Sequence, residues 1–339
     1  MTTLASTRNA LGIELTDLHI HLGGAVAPHT LWSLAHQQGF KLPVANYWEF
    51  VEFITIDPQK IQSLDDYLNY FLWTEKIQSS PQAVERSVYE IISKEFRSSN
   101  VTQLELRFNP MKRNRGGEQD LDHIIHAALR GLDRVVLDYQ TKAGLIFCLA
   151  REFPYELNEI IVEKAILYRH RGVIGIDLAG SETQAEEIKN NSGKYAELFR
   201  SAREQGLGIT VHVGETPDSP ASDVLEMVEV ANPHRIGHGV QAAFSEDVMR
   251  TLRDKNICLE ICPTSNLQTH AVSGLEQLAI VLRNLIDAKV PFTINTDNPY
   301  LSRTNLRYEI ELLLTNNILS KDELIQCFEN ARKFSFLAL

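Results

Sequence analysis

Residues 208–239 read GITVHVGETPDSPASDVLEMVEVANPHRIGHG. A β-branched run from Gly208 to Val213 is followed by a helical pattern over 220–230 and a second short run from Arg235 to Gly237. Strand, helix and strand at this spacing form the repeating unit of a parallel sheet. The same rhythm extends in both directions. Six further runs read as strands: Leu15 to Ile20, Val101 to Arg107, Ala143 to Leu149, Val173 to Asp177, Ile257 to Ile261 and Phe292 to Asn295. Helical patterns at 81–98, 120–142, 194–205, 246–255 and 274–288 lie between them, the first opening with Pro81 after Ser80 as N-cap. Eight strands alternating with helices close into a (β/α)8 TIM barrel. An open doubly wound sheet would more often have fewer strands and a Gly-rich phosphate loop, and neither GxGxxG nor GxxxxGK followed by Ser or Thr occurs. The expectation is an α/β fold, one barrel domain over 1–339, with a helical insertion after strand 1.

That insertion covers residues 28–80, where about three helical segments separate the first two strands, among them the aromatic stretch NYWEFVEFI at 46–54. It either buries Trp48, Phe50 and Phe53 in a small core of its own or serves as a lid over a substrate. A last helical pattern at 320–332 packs on the barrel or on another subunit, and oligomeric state stays open.

Composition removes several classes. The hydrophobic fraction of 44% and charged fraction of 23% are those of a globular chain with a sizeable core. A net charge of −11 argues against a nucleic-acid binder, which needs clustered Lys and Arg, and in favour of a small-molecule partner. Cys148, Cys258, Cys262 and Cys327 form no CxxC pair and read as reduced, buried thiols. The opening MTTLASTRNALGIELTD has no apolar leader core, and no run reaches the ~18 apolar residues of a membrane span, so the cytoplasm is expected.

Metal-capable residues gather at the ends of the expected strands, where barrel enzymes build their sites. Strand 1 ends in His19-Ile20-His21, and residues i and i+2 of a strand point to one face. Strand 5 ends in His212 followed by Glu215, strand 6 in His238, and strand 8 in Asn295-Thr296-Asp297. Taken singly, His212 reads equally as a core histidine and Asp297 as a helix N-cap before Pro299. Taken together, His19, His21, His212 and Asp297 form a nitrogen and oxygen set that suits one Zn2+ with a position left for water. Such groups would be costly to bury unless they pair or bind metal, and no Lys or Arg stands immediately beside them.

The order and spacing of HIHLGGA at 19–25, ELRFNP at 105–110, DLAGSE at 177–182, HVGE at 212–215, RIGHG at 235–239, EICPTSN at 260–266 and NTDNP at 295–299 run through the whole chain. In these motifs the sequence resembles the adenosine deaminase family of the amidohydrolase superfamily. The H-x-E and P-C-x-x-C signature of the other zinc deaminases does not occur. The resemblance implies a zinc-dependent hydrolase that removes the 6-amino group of a purine. It implies one zinc on His19, His21, His212 and Asp297, Glu215 beside the purine N1, and His238 flanking the attacking water. Asp297 would pass the proton onward, Gly180 would offer its backbone to the purine N3, and Glu260 and Ser265 would be candidates for fixing His238.

Two positions depart from the family pattern. Gly23 stands where adenosine-specific members usually carry an Asp that contacts the ribose 5′-hydroxyl, which implies a larger, less polar pocket end that admits 5′-modified adenosines. His29 or an aromatic of 46–54 could supply the missing contact instead. Asn298 stands where the family usually has a second acid beside the purine N7, and an amide can donate to N7 directly. Adenine, aminofutalosine and N6-methylated nucleotides remain alternative substrates, the last calling for a basic pocket from Lys112, Arg113 and Arg115. An inactive purine-binding protein is the non-enzymatic alternative, against which Glu215 and His238 count.

Overall fold

The computed structural model describes residues 9–114 and 119–339. Eight strands follow in order: β1 Leu15–His21, β2 Val101–Phe108, β3 Lys142–Ala150, β4 Val173–Ala179, β5 Gly208–Val213, β6 Arg235–His238, β7 Cys258–Ile261 and β8 Phe292–Ile294. Each pairs in parallel with the next, so chain order is spatial order, and helices occupy the connections. The fold is a (β/α)8 barrel. The strand runs read from sequence match to within two residues; β4 continues to Ala179, and β8 stops at Ile294. The expected N-cap is present: Ser80 Oγ accepts from Ala83 N–H at 3.3 Å, with Pro81 in the first turn of Pro81–Ser99.

The barrel closes on a narrow seam. β1 and the segment that follows β8 meet through one bridge, Ile20 to Asp297. There His21 N–H donates to Asp297 O, and Asp297 N–H donates to His19 O, both at 2.8 Å. Side chains extend the join, with Leu18 N–H donating to Asn295 Oδ1 at 3.1 Å and Thr296 Oγ1 donating to Asp17 Oδ2 at 2.7 Å.

Branched apolar side chains usually fill a barrel of this kind. Here Glu105, Arg107, Asp177, Arg235 and Glu260, all from strands, are completely buried within it. Charges so placed are tolerated only when paired, and their pairing positions the site described below.

The insertion holds four α-helices, Pro28–Gln37, Tyr47–Ile54, Leu64–Asn69 and Phe71–Ile77. The small core expected from the aromatics at 46–54 is not there. Phe50 and Ile54, one turn apart, face the main core, whereas Trp48 is 75% exposed. A separate small core does exist, built from Ile56, Ile61, Leu64, Tyr67 and, from beyond β8, Leu301. All four cysteines are buried and unpaired. Among the described residues no helix is long and apolar enough to cross a membrane. Residues 1–8 and Arg115 lie outside the described residues.

Candidate active site

His19 and His21 project together from β1, and His212 joins them from the end of β5. The three Nε2 atoms stand 3.1 to 3.2 Å from one another. Asp297 Oδ1 lies 3.4 Å from His21 Nε2 and 3.6 Å from His19 Nε2. Gly237 keeps room for this packing, since a Cβ there would lie 3.1 Å from the His19 ring and 3.2 Å from that of His212.

The other ring nitrogens fix the tautomers. His19 Nδ1 is 2.7 Å from Glu260 Oε2, and His212 Nδ1 is 3.0 Å from Asp177 Oδ1. Carboxylates only accept, so both Nδ1 atoms carry protons and both Nε2 atoms present lone pairs to the same point. Burial, then Arg107, holds His19 well below the usual histidine range; burial, then His19, does the same to His21. Convergent lone pairs on neutral rings repel unless a cation sits among them.

The absence of a nearby cation partner, inferred from local sequence, is corrected by the fold. Arg107 Nη1 reaches Asp177 Oδ2 at 3.2 Å, and its Nη2 reaches Glu260 Oε2 at 2.8 Å. Arg235 donates to Glu260 Oε1 at 2.5 Å and Glu105 Oε2 at 2.6 Å. Burial alone would raise both acids, but His212 and Arg107 hold Asp177 at about 2, and Arg107 and Arg235 hold Glu260 at about 2. Both therefore stay anionic and orient the imidazoles.

Glu215, just beyond β5, is buried, with Oε2 at 3.7 Å from His238 Nε2. Burial, reinforced by Glu182 and Asp297 and opposed by Arg151, pushes its carboxyl well above the usual range. Its carboxyl group is thus biased toward the protonated form. His238 ends β6 in the left-handed region at φ 60, as does Asp297. Strain of this kind in non-glycine residues collects where geometry serves function.

Glu260 and Ser265, expected to fix His238, do other work. Glu260 holds His19, and Ser265 Oγ donates to Asp297 Oδ2 at 2.7 Å. His238 is fixed by a residue not singled out from sequence, Asn266, whose Nδ2 donates to His238 Nδ1 at 3.0 Å. Cys262 N–H donates to Asn266 Oδ1 at 3.2 Å, which sets the orientation of the amide. The proton of His238 therefore resides on Nε2, the nitrogen that faces Glu215.

Above the cluster lies a cavity of about 440 Å3 whose wall includes Glu215, His238, Asp297, Asn298, Gly180 and Gly23. Gly180 has φ 102, and a Cβ there would stand 2.7 Å from Glu152 Oε2, so only glycine leaves the backbone open. At Gly23 an added Cβ would fall 2.7 Å from the Phe71 ring and 3.4 Å from Arg113 Nη2. The space freed by the missing side chain is thus occupied by an aromatic ring, which corrects the expected enlargement. Asn298 Nδ2 donates to Tyr67 Oη at 3.0 Å. The cover comes from Leu64, Leu68, Phe71 and Leu72; neither His29 nor the aromatics of 46–54 line the cavity. Lys112 and Arg113 do line it, paired with Glu152 at 2.6 Å and Glu75 at 3.4 Å.

A parallel barrel with imidazoles and two buried carboxyl groups converging at its strand ends defines a barrel hydrolase with a candidate metal centre. The family model described as Adenosine deaminase matches residues 15–339. The adenosine deaminase of Clostridium kluyveri is 31% identical over 328 residues, covering 96% of this chain and 90% of that one. The adenine deaminase of Arthrobacter aurescens superposes with a TM-score of 0.82 at 23% identity, over 95% and 93% of the two chains. The Arabidopsis N6-mAMP deaminase gives 0.80 at 27%, over 96% and 94%. The chain belongs to the adenosine deaminase family and is a hydrolytic deaminase.

Proposed function

We propose that this deaminase binds one Zn2+ and removes the 6-amino group of a purine nucleoside, adenosine or a 5′-modified adenosine, giving the inosine-type product and ammonia. The observation that carries the reading is the buried Glu215 beside His238 and next to three converging Nε2 atoms. The donor set fits the metal: ligands at about 2.0–2.1 Å in a tetrahedral zinc site stand about 3.3–3.4 Å apart. Among the three imidazoles, and from Asp297 to His19 and His21, the separations here are 3.1 to 3.6 Å. His19, His21, His212 and Asp297 would hold the ion, which supplies a Lewis acid that makes water a nucleophile at neutral pH.

The chain's own residues do the rest. Attack at C6 destroys ring aromaticity and drives charge onto N1, and the Glu215 carboxyl group delivers a proton there. His238 donates from Nε2 to the attacking oxygen and holds it in line. That assigns the base role to Asp297, which takes the water proton and passes it to the leaving amino group. The open backbone at Gly180 approaches N3, and the second Nδ2 hydrogen of Asn298 is directed to N7. At the 5′ end, Gly23 and Phe71 offer an apolar wall instead of a carboxylate. Lys112 and Arg113 are engaged by Glu152 and Glu75, which favours a neutral 5′ group over a phosphate.

We take the whole chain, 1–339, as one cytoplasmic catalytic unit with 28–80 as insertion and lid, acting on a small molecule rather than on nucleic acid or a membrane. A panel of 6-aminopurines, followed by loss of aminopurine absorbance with Glu215→Gln as blank and metal content measured in parallel, tests the reading. Nucleosides with a free or apolar 5′ group should turn over fastest. A preference for adenine or AMP would overturn the nucleoside assignment.

A further inference from the structure

His238 and His234 stand at opposite ends of β6, about 13 Å apart along the strand. His238 faces the candidate metal cluster, whereas His234 opens into a separate cavity of about 260 Å3 at the N-terminal ends of β6 and β7. Its wall carries Arg203, His234, Lys255 and Lys333 with no Asp or Glu side chain, and Leu339, the last residue, stands at its edge. In a chain of net charge −11, that concentration of positive charge needs a counter-charge.

No acidic side chain of the wall provides it. The Arg203 guanidinium donates to Asn232 O and lies 2.7 Å from His234 Nε2. Burial draws its pKa down, with no neighbouring acid acting against that. Lys333 rests over the Phe334 ring at 5.1 Å. His234 adds a second, independent sign. Ile209 N–H donates to its Nδ1 at 2.9 Å, using the one lone pair a neutral imidazole has. Burial, then Arg203 and Arg235, holds the ring at about 4, so it is neutral at physiological pH. Nε2 therefore carries the ring proton and meets an N–H of Arg203 directly. Two donors face each other without an acceptor, an arrangement as unfavourable as an unmade hydrogen bond.

We propose that this cavity binds a phosphate-type oxyanion, held by the Arg203 guanidinium, His234 Nε2–H and the Lys255 and Lys333 ammonium groups. An oxygen seated between Arg203 and His234 accepts from both. Arg contributes a planar fork matched to two phosphate oxygens, and Lys contributes point charge. The cavity is smaller than the ~300–1,000 Å3 of sites for drug-sized ligands, which suits inorganic phosphate, pyrophosphate or the terminal phosphate of a larger molecule.

Calorimetric titration of the metal-loaded full chain with inorganic phosphate and, separately, pyrophosphate tests this, with chloride at matched ionic strength as control. A saturable isotherm is expected, weakened at least tenfold by Arg203→Gln and by Lys333→Gln. Deaminase kcat should be unchanged in both variants, which also shows that they are folded. Tighter binding of pyrophosphate than of phosphate would identify the ligand as the end of a polyphosphate chain, and the reverse as the free ion. No binding beyond the chloride control, or binding indifferent to Arg203→Gln, overturns the proposal.

Discussion

The side-chain amide of Asn266 donates to His238 Nδ1 at 3.0 Å, and this bond sets the direction in which His238 can pass a proton. With Nδ1 accepting, the neutral ring is a donor at Nε2. Asn266→Asp puts an acceptor at Nδ1, moves the ring proton there and turns Nε2 into an acceptor. We expect kcat to fall about 100-fold, the scale of losing one well-placed transition-state donor, with metal content unchanged. Steady-state kinetics with metal analysis checks it; a kcat within twofold of wild type rules out the donor role.

Asp177 holds the Nδ1–H of His212 at 3.0 Å and is itself held by Arg107. Asp177→Asn removes the anion that orients the imidazole while keeping its shape. Metal affinity should weaken by about 10–100-fold, the usual effect of losing such a partner. Competition with a chromophoric chelator measures it directly, and an unaltered Kd would show that His212 orients without help.

Gly23 and Phe71 divide one space. Gly23→Asp alone forces the Phe71 ring aside, at a cost of about 1–3 kcal/mol for overpacking. Combined with Phe71→Ala, the new carboxylate gains room beside Arg113, whose Nη2 lies 3.4 Å from the Cβ position. The ratio of kcat/KM for adenosine to that for 5′-deoxyadenosine should rise at least tenfold in the double variant. A ratio that stays put means this end of the cavity does not meet the ribose.

Glu309, completely buried, accepts from Thr264 N–H at 3.2 Å and from Thr304 Oγ1, and burial raises its pKa to about 7. An unfolded Glu releases its proton near 4.3, so between about 4.3 and about 7 the folded state binds more protons than the unfolded one. Stability from this group is full below that window and falls as pH rises through it. Glu309→Gln keeps the shape without the charge. Its stability, read from melting curves, should match wild type near pH 5 and exceed it at pH 8 by on the order of 2 kcal/mol. Parallel melting curves across pH settle the matter.

The barrel was readable because each strand is a short β-branched run and each ligand candidate stands at a strand end, where one residue decides direction. The partners of those candidates were harder to read. Asp177, Arg107 and Arg235 come from three different strands, and no sequence spacing records contacts made across a closed barrel. Ser265 and Asn266 are adjacent in the helix Pro263–Gln268, where one residue turns the side chain by about 100°. Ser265 thus meets Asp297 while Asn266 meets His238. The helix Tyr155–Tyr168 has no clear sequence signature because Ile160 and Leu167 point outward and blur its apolar stripe. At 46–54 the opposite holds: the residue types are those of a core, but the helical period turns Trp48 outward.

The narrow seam between β1 and β8 carries a further consequence. His19 and His21 lie on one side of it, Asp297 on the other, and backbone pairing there is a single bridge. An ion bound to all three would fasten the first strand of the barrel to the last, as a disulfide fastens distant parts of a smaller protein. Withdrawing the metal would then do more than stop the chemistry. It would leave the barrel unbuttoned at its weakest edge, so that chelation and thermal unfolding act on the same line of contacts.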